Sequence, residues 1–112
     1  MGNNIVTGSV TGTGAAINVS IGFTPSYVKV VNTAKNVVME WISGMGDGKG
    51  VKDQDQAVDE GGTATYTVGP QAVASNGISA YSGDDSNPAG FTIGADTDLN
   101  VSGDTLHYIA MR

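Results

Sequence analysis

Asp96, Asp98 and Asn100 stand at alternate positions in Asp96-Thr97-Asp98-Leu99-Asn100, the oxygen spacing that opens an EF-hand calcium loop. The remainder of that loop is missing. Its sixth position holds Val101 where the sharp turn needs Gly, and its twelfth holds His107 where a bidentate Glu closes the shell. An ion site built from Asp96, Asp98 and Asn100, joined by Asp84 or Asp85, stays open beside a plainer alternative. In that alternative the short carboxylates cap neighbouring amides in an Asx-rich turn. The run Gly44-Met-Gly-Asp-Gly-Lys-Gly50 raises the question of phosphate binding, but Gly48-Lys49 is followed by Gly50 where a P-loop requires Ser or Thr. No helical pattern follows it to offer N-terminal amides. Nucleophilic catalysis lacks parts as well, since His107 is the one His and no Gly-x-Ser-x-Gly elbow precedes a helix. Carboxylate pairs for glycosidase chemistry fall in turn-like contexts such as Asp84-Asp85-Ser86-Asn87-Pro88. The expectation is a protein without catalytic residues or cofactors, with Asp96, Asp98 and Asn100 as its only metal candidates.

The elements that must carry these residues read as strands. Ile17, Val19 and Ile21 alternate with Asn18 and Ser20, the period of a half-buried strand. Tyr27–Val31, Val37–Ile42 and Thr105–Met111 are β-branched and aromatic, and weaker signals cover Ile5–Val10, Thr63–Val68, Ile78–Ser82 and Gly90–Ile93. Helical periodicity is nearly absent, and the 17 Gly cluster where strands must turn. Asn76-Gly77 is the sharpest hairpin signal, because a type I′ turn needs positive φ at both central residues. The pattern predicts an all-β fold, a β-sandwich or jelly roll of about eight short antiparallel strands. Gly44 to Gly62 lacks periodicity and predicts a long central acidic loop, either solvated or an arm that orders against a neighbouring subunit. Phe23 and Phe91, each in a Gly-Phe-Thr triplet, are expected core anchors.

Length and composition narrow the classes. A chain of 112 residues predicts one domain spanning the whole sequence. The absence of Cys excludes disulfide scaffolds and thiolate zinc sites, and a net charge of −6 repels phosphate backbones, so no nucleic-acid partner is expected. The N-terminus lacks a signal-peptide pattern, and Val6 stands where a myristoylation site needs Ser or Thr. No window reaches the ~18 apolar residues of a membrane span, so no membrane partner is expected either. Beginning at Met, the chain is expected to be a whole, unprocessed product made in a cytoplasm. Only 14% of residues are charged, against about 25% in ordinary domains. So weakly ionic a β surface predicts coverage by other subunits.

Two blocks resemble a known group. Gly22-Phe-Thr-Pro-Ser-Tyr-Val-Lys-Val-Val31 with Met39-Glu-Trp-Ile-Ser-Gly-Met45, and the closing Gly90-Phe-Thr-Ile-Gly…Leu-His-Tyr-Ile-Ala110, are similar to small tailed-bacteriophage virion proteins of the head decoration (cement) type. The resemblance implies a non-enzymatic virion component on the outer capsid surface. Its partners would be the major capsid protein and further copies of itself, expected as a homotrimer. On this reading Met1–Thr11 serves as an assembly arm or edge strand. The central loop contacts neighbours through Met45, Asp47, Lys49, Lys52, Asp53 and Asp55, so that deleting 47–60 should abolish decoration and leave the body folded. The alternative is a tail, baseplate or fibre module whose Tyr27, Trp41, Tyr66 or Tyr81 stacks on host glycans.

Overall fold

A computed structural model describes residues 4–54 and 70–112. Among these residues eight strands form one antiparallel sheet: β1 (Ile5–Thr11), β2 (Ile17–Ser20), β3 (Tyr27–Asn32), β4 (Val37–Ile42), β5 (Lys49–Gln54), β6 (Gln71–Tyr81), β7 (Gly90–Ile93) and β8 (Thr105–Met111). Their order across the sheet is β1-β8-β3-β4-β5-β6-β7-β2, so the first two strands of the chain lie at opposite edges. The all-β expectation holds. One 3-10 turn, Ser43–Met45, follows β4, and no helix among the described residues is long and apolar enough to cross a membrane.

Alternation along the strands sends one face of the sheet inward. Val28 and Val30 on β3, Val37, Met39 and Trp41 on β4, and Leu106 and Ala110 on β8 pack with Val19, Ile78, Phe91, Ile93 and Leu99 in one core. These residues come from strands far apart in the sheet order, so the sheet must curl until its two halves face each other, as in a sandwich. The edge-to-face contact of Phe91 on β7 with Tyr108 on β8, centroids 5.3 Å apart, spans that interior. Of the two expected Phe anchors, Phe91 lies at the centre. Phe23 is buried at one end beneath the Arg112 guanidinium, 4.8 Å from its ring centroid.

Two sequence expectations fail at β5 and β6. The stretch expected to be loop contains β5, hydrogen-bonded between β4 and β6. Lys-Gly-Val-Lys-Asp-Gln offers too little apolar alternation to announce a strand, and the ladder on both sides supplies what the side chains do not. Deleting 47–60 would therefore remove an interior strand rather than an arm. Asn76-Gly77, expected to turn a hairpin, instead lies inside β6. Lys49 pairs with Ile78 and Gly50 with Val73, so Ala74 to Gly77 form a bulge opposite a single step of β5. Asn76 takes the positive φ (61°) that marked it as a turn residue. A Cβ on Gly77 would collide with the Lys49 carbonyl, so only Gly lets β5 approach so closely. The expected strand Thr63–Val68 and the loop residues 55–62 lie outside the described residues.

Candidate assembly surface

The outward face of β1, β8, β3, β4 and β5 follows from the register. Directly opposed residues share a face, which gives three rows across the strands. The first runs Ile5, Met111, Tyr27, Ile42, and the second Thr7, Ile109, Lys29, Glu40, Val51. The third runs Ser9, His107, Val31, Val38, Asp53. Of these fourteen outward positions, three hold Lys, Arg, Asp or Glu (Lys29, Glu40 and Asp53), and the first row is apolar throughout apart from the Tyr27 hydroxyl. Ile5 and Ile42 at its ends are 54% and 52% exposed, and Met45, on the turn just after Ile42, is 37% exposed. Large aliphatic side chains open to water along one line are what a covered face carries.

Two polar side chains of this face pair with each other. The Tyr27 hydroxyl donates to Glu40 Oε2 at 2.5 Å. Partial burial, then that hydrogen bond and the Glu40 charge, push the phenol up to about 12. His107 stands exposed on β8 between Ser9 and Val31. A shallow groove beside it is lined by Lys29, Val31, His107, Tyr108 and Ile109.

The loop between β7 and β8 brings together part of the expected ion site. Asp96 and Asp98 converge, but on the ammonium of Lys52, whose Nζ lies 2.9 Å from Asp96 Oδ2 and 2.7 Å from Asp98 Oδ2. Lys52 points inward because β5 alternates: Val51 and Asp53 face out, while Lys52 opposes buried Met39. Asp96 Oδ1 also accepts from the amides of Asp98 and Leu99, an Asx-type cap. Asn100 faces elsewhere. Its Oδ1 accepts from the Thr13 and Gly14 amides, and its Nδ2 donates to the Ala15 and Gly94 carbonyls, tying the β1–β2 connection to the β7–β8 loop. Among the described residues no three His, Cys, Asp or Glu side chains cluster as metal ligands. Asp84 caps its own turn. The Ser86 amide first, and then Asn87, hold its carboxyl below the usual carboxylate range.

The other expected contact residues are scattered. Asp47 accepts from the Ala80 amide, and Lys49 Nζ donates to the Ala74 carbonyl, steadying the β6 bulge. Asp53 is exposed in the third outward row, and Met45 flanks the first. Asp55 lies outside the described residues, as does Tyr66 of the glycan alternative. Trp41 cannot stack on a ligand, because it is buried (1% exposed) with Nε1 donating to the Gly46 carbonyl. Tyr81 is half-buried and donates to Asp84. What the sequence reading missed is the outward row itself. Its signal lies in Tyr27, Ile42 and Met111, which alternate with core residues and are largely apolar too. Comparisons with protein-family models, curated proteins and solved structures found no match to this chain.

Proposed function

We propose that this protein is a non-enzymatic structural component of a phage particle, a decoration protein that lays the outward face of β1, β8, β3 and β4 on the outer capsid shell. The observation that carries the reading is the row Ile5, Met111, Tyr27 and Ile42, with Met45 beside it, an apolar line on a surface with little charge. Coverage by the major capsid protein would remove Ile5 and Ile42 from water, each worth about 1 kcal/mol or more for half a side chain. Many such contacts on one lattice then act together. The resemblance of the two sequence blocks to phage head decoration proteins is what suggests a capsid protein as the covering partner. On this reading the contact is the sheet face, with Asp53 and Met45 of the expected contact set on or beside it.

The experiment is co-sedimentation of the purified protein with undecorated capsids, run beside an Ile42→Lys variant. The wild type should pellet with shells and the variant should stay in the supernatant at an unchanged melting temperature. Equal pelleting of both would remove the sheet face from the contact. Failure of the wild type to pellet, with binding on a glycan array, would establish the tail or fibre alternative through Tyr27 and Tyr81.

A further inference from the structure

We infer that β1 is a pairing edge for a second copy of this chain, two β1 strands meeting antiparallel about a two-fold axis at Gly8. The inference stands on the edge strand and not on the virion reading. β1 pairs on one side with β8, and among the described residues no strand lies on its other side. Its ladder places the free groups. Arg112 N donates to Asn4 O, and Gly12 N to Asp104 O, so the even-numbered residues of β1 hydrogen-bond to β8. The N–H and C=O groups of Ile5, Thr7, Ser9 and Thr11 therefore point to the open side.

Nothing on β1 blunts that edge. Ile-Val-Thr-Gly-Ser-Val-Thr has no charge and no Pro, and its pairing with β8 runs unbroken over seven residues. The opposite edge of the sheet is different. β2 has four residues, and the Ile21 amide bonds back to Ala89, which leaves only Asn18 and Ser20 facing outward from the sheet.

The sequence of β1 fits its own reverse. Antiparallel pairing about Gly8 sets Val6 against Val10 on the inner face and Thr7 against Ser9 on the outer face, with Ile5 against Thr11. The four outward-pointing residues then fall at hydrogen-bonded positions, giving about eight interchain bonds. Gly8 meets Gly8 at the closely spaced, non-bonded position. No side chain fits there, because the Tyr108 ring already covers that site: a Cβ on Gly8 would come 2.5 Å from its hydroxyl oxygen. The two-fold contact also joins two sheets into one, and leaves neither β1 edge exposed. It predicts a dimer as the building unit, where the family resemblance implies a trimer.

The test is the mass of the full chain in solution by sedimentation equilibrium, with residue-resolved amide exchange by NMR. Twice the chain mass is expected, with slow exchange at Ile5, Thr7, Ser9 and Thr11 that quickens on dilution. Thr7→Pro removes an outward N–H without touching the β8 ladder. It should raise the dissociation constant at least about tenfold, since two interchain bonds are lost per dimer. Asn18→Pro, on the β2 edge, should leave the mass unchanged. A monomer at every concentration overturns the inference, as does any oligomer in which those four amides exchange freely or in which Asn18→Pro dissociates as readily as Thr7→Pro. Should Thr7→Pro not fold, the dilution series on the wild type decides alone.

Discussion

Lys52 is a cation drawn from a strand of poor apolar character into the interior, where 13% of its side chain meets water and two carboxylates face it. Burial is the largest single influence on its pKa and pulls it down, but the hydrogen bonds to Asp98 and Asp96 and their charges outweigh it and leave the amine raised. Lys52→Ala strands Asp96, itself 8% exposed, and should cost about 3 kcal/mol in urea unfolding. A raised amine stabilises the fold below its unfolded pKa, and the contribution is lost as pH rises through the folded value. The same sign applies to Tyr27, whose phenol titrates at about 12 in the fold. Stability should therefore fall from about pH 10 upward, and Tyr27→Phe should remove part of that fall in unfolding curves measured across the range. Asp104 acts at the other end. The Asn32 amide first, and then Lys35, hold its carboxyl low, so its contribution is present above about pH 4 and lost on acidification.

At the scale of elements, the bulge in β6 breaks the register between β5 and β6. Lys49 Nζ to Ala74, Gly77 N to Gly48 and Gly94 N to Gly77 fasten it to the strands on either side. Gly77→Ala drives a methyl into the Lys49 carbonyl and should destabilise by about 2–3 kcal/mol, read by chemical denaturation. The β3–β4 turn is fastened differently, through buried Asn32. Its Oδ1 accepts from the Lys35 amide, and its Nδ2 donates to the Leu99 carbonyl and to Asp104. A hairpin and a distant loop are thus joined by one amide. β3, β4 and β8 were legible from sequence because alternating β-branched and aromatic residues suit a strand with one face buried. β5 was not, because Lys49–Gln54 carries too little apolar alternation and is held as a strand by its ladders to β4 and β6.

At the scale of the whole molecule, the described residues present one apolar outward row and one unguarded edge. Ile5 belongs to both, at the end of the first outward row and at the start of β1. Ile5→Lys should leave the melting temperature within a degree or two, since the side chain is half exposed. It should also raise solubility and weaken both shell binding and self-association, which light scattering and co-sedimentation separate. A substitution inside the core behaves oppositely: Phe91→Ala should cost about 3–5 kcal/mol, because no neighbouring side chain collapses into a site at the centre of the curl.

Sequence alone determined the class of the fold and the identity of its core. Strand periodicity is a local property, and Val28, Val30, Met39, Trp41, Phe91 and Leu106 announce themselves by it. Asp96 and Asp98 were likewise legible as a pair of converging carboxylates. Tertiary structure decided what met them. The cation that reaches them comes from a strand more than forty residues earlier (|i−j| = 44 and 46), and no local pattern encodes that approach. It also turned Asn76-Gly77 from a hairpin into a bulge, because the positive φ that favours a turn serves equally where a strand must bend to close the sheet on its core.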